Sequence, residues 1–380
     1  MHIADMTMFY APSSGGVRTY LDAKRRRLNA MPGIRHTLLV PRQPGERDED
    51  TSRYRVSASP LPFSGGYRFP LTREPWRRAL LDLRPDLIEA GDPYVTGWAA
   101  IDAARQLDIP LMAFYHSDLP TMISNRSGRW SRPVIENYIK RLYSHYDRVL
   151  APSRIMAERL ERNGIERVHV QPLGVDLQTF HPRYRDAAVR SELGLDESTR
   201  LLIFAGRGSQ EKNMHILLEA MRRLKTLDAE HPYHLLMVGS SMPTRVPDNV
   251  TVINHFCPAS EIARYFASSD ALLHAGTQET FGLVVLEAMA CGTPVVATRA
   301  GALAENVPES CGELAHPLDG EDMAQRICTL FERDGEALGE RAREHVERHH
   351  DWDIVVRGVL GHYRELLGVT APEATSVQHG

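Results

Sequence analysis

The feature that most constrains this chain is an alternation of short apolar runs, rich in Val, Ile and Leu, with longer amphipathic stretches, and it runs through twice. In the first half the apolar runs are His2–Thr7, Arg35–Val40, Asp86–Ala90, Pro110–Tyr115, Arg148–Ala151 and Val168–Gln171. The pattern restarts near Leu201, with Leu201–Ala205, His234–Val238, Val250–Asn254, Ala271–His274 and Pro294–Ala297. Helical periodicity fills most gaps, as in Arg18–Asn29, Asn137–Ser144 and Met214–Lys225. Apolar strands alternating with helices are buried on both faces, which is the condition of a parallel, doubly wound sheet. The expected architecture is α/β: two Rossmann-like parallel-sheet domains facing each other, with ligands in an interdomain cleft at the carboxyl ends of the strands. Residues 1–176 form the first domain, 177–200 a linker and the start of the second, and 201–350 the second domain. A helix over 351–367 is expected to pack back on the first domain, and 368–380 reads as a loose tail.

A chain of 380 residues suits two domains of ordinary size, and 42% hydrophobic with 25% charged residues is the composition of a soluble globular protein. No run of about 18 apolar residues is present, so no bilayer-spanning helix is expected. The start, MHIADMTMFY, lacks the basic flank and apolar stretch of a secretory signal. Cys257, Cys291, Cys311 and Cys328 show neither metal-type spacing nor a CxxC pair, which points to buried, reduced thiols. The net charge of −4 divides unevenly: 26 Lys+Arg against 20 Asp+Glu from Met1 to Asp176 give +6, and the remaining 19 against 29 give −10. A basic half beside an acidic half suits one face toward an anionic partner.

After the run Ala271–His274 comes GTQETFGLVVLEAMACGTPVVAT. Thr280-Phe281-Gly282 reads as a tight turn into a helix, Gly292 as its stop, and Pro294 as the opening of the next strand. A helix that starts at a strand end offers free N–H groups and a positive dipole end to a phosphate or sugar oxygen. Glu279 lies just before that helix and Glu287 about a turn and a half inside it. Taken singly they read equally as a capping residue and a solvated helix face. The whole string resembles the Glu-x7-Glu signature of the retaining glycosyltransferases of family 4, which have the GT-B fold, and the resemblance runs over nearly the full chain.

The resemblance implies roles residue by residue. Glu279 would hydrogen-bond donor-sugar hydroxyls, Glu287 the ribose hydroxyls of the nucleotide, and the amides of Phe281, Gly282 and Leu283 the sugar or diphosphate. In AGRGSQEKNMHILLEA, Arg207 and Lys212 match the family's Arg-x4-Lys pair, which grips the diphosphate and offsets charge on the leaving group. The Gly and Asn that follow them depart slightly from the commonest family wording. In PSSGGVRTYL, Gly15 and Gly16 match the glycine loop over the diphosphate, since glycine lets a phosphate approach the backbone. In FYHSDLP, His116 matches a histidine near the reacting centre. APS at Ala151–Ser153 and PLGVD at Pro172–Asp176 also follow the family, with Ser153 expected toward the sugar.

Retention at the anomeric carbon, with the acceptor attacking on the face the diphosphate leaves, is what the resemblance implies, and neither glutamate is then a hydrolase-type nucleophile. Two DxD strings, Asp48-Glu49-Asp50 and Asp351-Trp352-Asp353, read as solvated or structural, and no His/Cys cluster suggests zinc. No metal and no cofactor are expected, the nucleotide-sugar being a co-substrate. The first half carries Lys24-Arg25-Arg26-Arg27, Arg73, Arg77 and Arg78 around Trp76, and Arg126, Arg129, Trp130 and Arg132 before Tyr138, Lys140, Arg141 and Tyr143. Cations mixed with aromatics suit an anionic membrane surface, with ordinary charged helix faces as the bland alternative. Nucleic acid is not expected. FYAPSSGGVRTYL is also similar to bacterial glycosyl-diacylglycerol synthases. The expected activity is transfer from UDP-glucose or a related UDP-sugar to a membrane lipid such as diacylglycerol, on the inner face of the cytoplasmic membrane. A glycan or polyprenyl-linked acceptor in envelope polysaccharide assembly is the same-class alternative, and a non-catalytic nucleotide-sugar-binding protein the different-class one.

Overall fold

The computed structural model describes residues 1–11, 16–43, 52–60, 66–116 and 118–369. It divides into two compact units. The first is Met1–Pro152, Met156–Gln171 and the chain from Val355 on; the second is Ser153–Ile155 and Pro172–Ile354. The polar segment 177–200 therefore belongs to the second unit, where Arg190 grips Asp270 through two bonds of 2.9 and 2.7 Å.

In the first unit the strands are β1 (His2–Met6), β2 (Arg35–Pro41), β3 (Arg53–Val56), a short antiparallel pair β4 (Ser59–Pro60) and β5 (Arg68–Phe69), then β6 (Leu87–Ala90), β7 (Leu111–Phe114), β8 (Arg148–Ala151) and β9 (Val168–Val170). Seven of them form one parallel sheet in the order β3-β2-β1-β6-β7-β8-β9. The second unit has β10 (Arg200–Ala205), β11 (Tyr233–Val238), β12 (Val250–Ile253), β13 (Ala271–His274), β14 (Val295–Thr298) and β15 (Gly312–Ala315), all parallel, in the order β12-β11-β10-β13-β14-β15. Both orders are the doubly wound one, with the first strand of each unit central and the chain switching sides beside it. That switch opens a crevice at the carboxyl ends of β1 and β6, and of β10 and β13.

Besides the short β4–β5 pair, the strands absent from the sequence reading are β3 and β15, both edges of the large sheets. An edge strand has one neighbour and one partly wet side, so RYRV and GELA can form strands without an apolar run. The inner strands carry the signal: β6, β7, β11, β13 and β14 are buried along their whole length. In the second unit Leu202, Phe204, Leu235, Met237 and Leu273 pack on one face with Leu217, Met221 and Leu224 of the helix Met214–Leu227. Met323, Ile327 and Leu330 of the helix Gly320–Phe331 join the same core.

The helix Gly16–Asn29 corrects one sequence expectation. Lys24 is fully buried, and its Nζ sits 2.7 Å from both Asp5 Oδ2 of β1 and Glu89 Oε1 of β6. Arg25 is buried as well and bonds Ser52 Oγ. Tyr20, Lys24 and Leu28 fall four apart on the inward face, so this basic run is half core and not an exposed cationic patch. Arg77 and Arg78 are likewise paired with Glu74 at 2.9 and 2.6 Å, around a buried Trp76, and Arg132 with Glu136 at 2.7 Å.

The same ion cluster ties in the C-terminus. Tyr363, on the helix Trp352–Leu366, donates its hydroxyl to Glu89 Oε2 at 2.5 Å. Burial raises the Glu89 carboxyl against the pull of Lys24, while Lys24 and His36 hold Asp5 well below the usual range despite its burial. Removing the one cation leaves two carboxylates in a dry core. Lys24→Met should lower the unfolding free energy by ~3–5 kcal/mol, and Tyr363→Phe by about 1 kcal/mol. Urea denaturation checks both, and a Lys24→Met protein as stable as wild type would contradict the cluster's structural role.

Candidate active site

The second unit gathers most of the expected donor-binding residues into loops that leave β10 and β13. β10 ends at Ala205, and Gly206 follows with φ +148°, so Arg207 projects from the strand end, exposed. Gly208 is required by space: a Cβ there would lie 1.9 Å from Ser241 O. The chain then makes a 3-10 turn at Gln210–Lys212 and enters the helix Met214–Leu227. Asn213, the departure from family wording, joins the two with φ +48°, a left-handed conformation that asparagine tolerates better than most residues. Its Nδ2 donates to Ala275 O at 3.0 Å and to Glu211 O at 3.3 Å, fastening the Lys212 loop to the loop that follows β13.

That second loop carries Glu279. Its backbone carbonyl accepts from Ala302 N at 3.0 Å, and Gly301 packs so close that a Cβ would sit 2.7 Å from the same oxygen. The carboxylate bonds Lys212 Nζ through Oε1, and His274 Nε2 lies 3.3 Å from that oxygen. Burial alone would push Glu279 up, but the neighbouring His274 and Lys212 hold it well below the usual carboxylate range. Gly282 then adopts φ +82° and starts the helix Leu283–Ala290 without a side-chain cap. The amides of Phe281 and Gly282 donate to no carbonyl among the described residues. They and Leu283, the first helical residue, leave donors for an external oxygen.

Glu287 sits on that helix, half-buried, and its carboxylate has no hydrogen bond or ion pair among the described residues. Burial pushes its carboxyl up to about 7. The exposed Arg207 also has no carboxylate partner among the described residues, unlike Lys212. Thus a neutralised pair, a free cation, free amides and an unpaired acid are the chemical contents of this part of the second unit. Ser153 donates its hydroxyl to Thr280 O at 2.9 Å, beside Glu279 in sequence.

His116 belongs to the first unit, just beyond β7. It stacks on Phe114, with ring centroids 4.6 Å apart and 13° between planes, and abuts Gly91, where a Cβ would fall 2.6 Å from its Cδ2. Burial and then the Lys24 charge push it down to about 3, so at neutral pH it is an uncharged imidazole. Gly16 opens the first helix, exposed, while Gly15 lies outside the described residues, as does Asp48-Glu49-Asp50. Two residues were not singled out from sequence. His274 read only as the end of a strand. Asp92 accepts from Thr7 Oγ1 at 3.0 Å and from Met8 N, which pins the chain entering the glycine loop.

Residues 14–179 match the family described as Glycosyltransferase Family 4, and residues 199–333 the one described as Glycosyl transferases group 1. A GDP-mannose-dependent alpha-(1-6)-phosphatidylinositol dimannoside mannosyltransferase of Mycobacterium tuberculosis is 30% identical over 345 residues, 88% of each chain. The chain belongs to glycosyltransferase family 4. Sulfoquinovosyl transferase SQD2 of Arabidopsis thaliana is 31% identical to this glycosyltransferase over 285 residues, 71% of this chain; the match spans about half, 54%, of SQD2. Among solved structures, sucrose-phosphate synthase from Thermosynechococcus elongatus superposes with a TM-score of 0.80 at 22% identity, covering 97% of this chain and 99% of that one. Anabaena HepE in complex with UDP and glucose gives 0.72 at 19% identity, covering 96% and 100%. At such identities these likenesses concern the fold, which is GT-B.

The glycosyltransferase's unpaired Glu287 generates a pH prediction. Its folded pKa of about 7 lies above the ordinary 4.5, so between those values the folded state holds a proton the unfolded state has lost. That contribution to stability is full below pH 4.5 and disappears as pH rises through 7. Glu287→Gln should therefore match wild type near pH 4 and exceed it near pH 8 by on the order of 3 kcal/mol. Denaturation at the two pH values measures this, and no gain at pH 8 would contradict it.

Proposed function

We propose that this enzyme transfers a hexosyl group, with retention and without a metal, from a nucleoside-diphosphate sugar to a membrane-lipid acceptor such as diacylglycerol. The observation that carries the donor half is the Lys212–Glu279 pair at the switch point of the second unit's sheet, on loops that also carry Arg207, which has no carboxylate partner among the described residues. In the reaction the bond from the anomeric carbon to the diphosphate oxygen breaks, and the acceptor oxygen bonds that carbon on the same face. The acceptor proton passes to the departing phosphate oxygen. Charge builds on the diphosphate, and Arg207 and Lys212 offset it with the amides of Phe281, Gly282 and Leu283. Glu279 accepts from sugar hydroxyls, and Glu287 in its ionised form from the ribose diol, a carboxylate having lone pairs for both hydroxyls. The family resemblance assigns Gly15 and Gly16 to the diphosphate. The resemblance assigns His116 to the sugar, and as an uncharged imidazole it has a nitrogen lone pair or an N–H to offer without adding charge.

For the donor, the resemblance to glycosyl-diacylglycerol synthases favours UDP-glucose or a related UDP-sugar. GDP-mannose is a second reading, favoured by relatives named GDP-mannose-dependent that match most of this chain. A lipid acceptor is supported by the lipid named for the M. tuberculosis relative. Peripheral binding to the inner face of the cytoplasmic membrane now rests on other residues than the Lys24–Arg27 run. Trp130, Val134 and Met122 are 75%, 64% and 55% exposed on adjoining segments of the first unit, near exposed Lys140 and Arg141. No helix among the described residues is long and apolar enough to cross a membrane.

Incubating the enzyme and a membrane-lipid extract with radiolabelled UDP-, GDP- and ADP-sugars tests donor and acceptor together. Label in a lipid product is expected; label only in glycan, or binding without transfer to any acceptor, would overturn the lipid assignment or the catalytic one. Lys212→Ala should lower turnover by about a hundredfold or more, the scale of one lost charge at a leaving group. Unchanged turnover would remove Lys212 from the mechanism. Sedimentation should show binding to anionic vesicles that Trp130→Ala weakens and salt reverses; equal binding to neutral vesicles would count against the electrostatic part.

A further inference from the structure

His274 ends β13 and is completely buried. Its Nδ1 accepts the amide N–H of Gly276 at 3.0 Å, so in the neutral ring the proton resides on Nε2. That nitrogen lies 3.3 Å from Glu279 Oε1 without an aligned hydrogen bond. The same oxygen is taken by Lys212 Nζ. A buried N–H left in that position costs free energy unless some state of the protein uses it.

The two groups competing for Oε1 differ in mobility. The His274 ring is clamped: a Cβ on Gly276 would fall 2.5 Å from its Cε1, and Phe204 lies across it at 6.1 Å between centroids. Lys212 has a side chain 19% exposed, carried on a long stem from a single 3-10 turn. A phosphate competes well for such an ammonium, whereas nothing can draw the imidazole away.

We propose that His274 and Lys212 hold Glu279 in turn. Donor binding draws Lys212 Nζ from Glu279 Oε1 to the diphosphate, and the Nε2–H of His274 then makes the hydrogen bond that keeps the carboxylate aimed at the sugar. This rests on reading Lys212 and Glu279 as donor-binding groups, and it makes His274 a positioning residue. The exchange answers a definite difficulty. Glu279 is mostly buried, and a carboxylate that lost the cation paired with it there would take up a proton and cease to accept from sugar hydroxyls. The charged and titratable groups facing it are Lys212 and His274, from the turn after β10 and from β13.

The wild-type protein with 15N-labelled histidine provides a direct test. Multiple-bond proton–nitrogen correlation should show His274 protonated on Nε2 alone, and its Nε2 proton should move downfield on saturation with UDP-glucose or GDP-mannose. A proton on Nδ1, or an Nε2–H unmoved by a donor that binds, would overturn the exchange. No binding of any nucleotide sugar to wild type would instead sink the functional reading. In transfer assays His274→Ala should lower kcat by about tenfold to a hundredfold, the scale of one hydrogen bond to a charged group, with a smaller change in donor KM. The acid limb of its kcat profile, which reports the donor-bound enzyme, should move to higher pH as Glu279 protonates more easily, and His274→Gln, which keeps an N–H donor, should recover part of kcat. An equal loss in all variants with an unmoved acid limb would overturn the assignment, and the spectrum decides independently if His274→Ala fails to fold.

Discussion

Parallel strand pairing is the constraint from which the rest of this molecule follows. In both sheets every neighbour runs the same way, so every connection must cross back over a face, and the helices that do so cover both faces. All carboxyl ends then collect along one side of each sheet. In the second unit the loops leaving β10 and β13, neighbours at the switch point, carry Arg207, Lys212 and Glu279 together although 72 residues separate the outer two. Asn213 and Gly301 refine the meeting, one bridging the two loops and the other allowing the chain to pass against Glu279.

Two lysine–carboxylate clusters show how the same pairing serves different ends. Lys24 is enclosed, with two carboxylates and a tyrosine hydroxyl completing the group, and Tyr363 brings the C-terminal helix into it. An enclosed cluster of this kind resists exchange, since any partner that leaves exposes an uncompensated charge to a dry core. Lys212 is partly wet, has one carboxylate, and shares its loop with Arg207, which has no carboxylate partner among the described residues. Its pair can open toward an incoming anion at low cost because water already reaches it. The first cluster is a fastening, and the second has the character of a site waiting for a ligand.

Much of the fold was legible because burial on both faces leaves an apolar run in the inner strands. β3 and β15 escaped because an edge strand need not leave one, as Arg53-Tyr54-Arg55 shows. The donor loops were expected from the family resemblance that Glu279 to Glu287 and Arg207 to Lys212 carry, and the structure brings Lys212 and Glu279 into contact. What spacing could not supply was His274, which satisfies the apolar pattern of a buried strand while pointing a nitrogen at Glu279. A histidine at the carboxyl end of a core strand, five residues before an acid already under suspicion, was the available signal.

The basic run of the first helix shows why the acceptor side was harder. Lys24 to Arg27 are consecutive, but on a helix consecutive residues point in four directions and do not form one surface. The residues that share a face with Lys24 are Tyr20, Leu21 and Leu28, all buried, so the periodicity already placed that lysine inside. A lysine on an apolar stripe demands carboxylates from the strands beneath, and Asp5 and Glu89, acids inside otherwise apolar strands, were the matching anomalies. Read together, three misplaced charges in three elements describe one buried cluster. The exposed Trp130, Met122 and Val134 carry the membrane argument in its place, and they do so by apolar area, with charge in a secondary role.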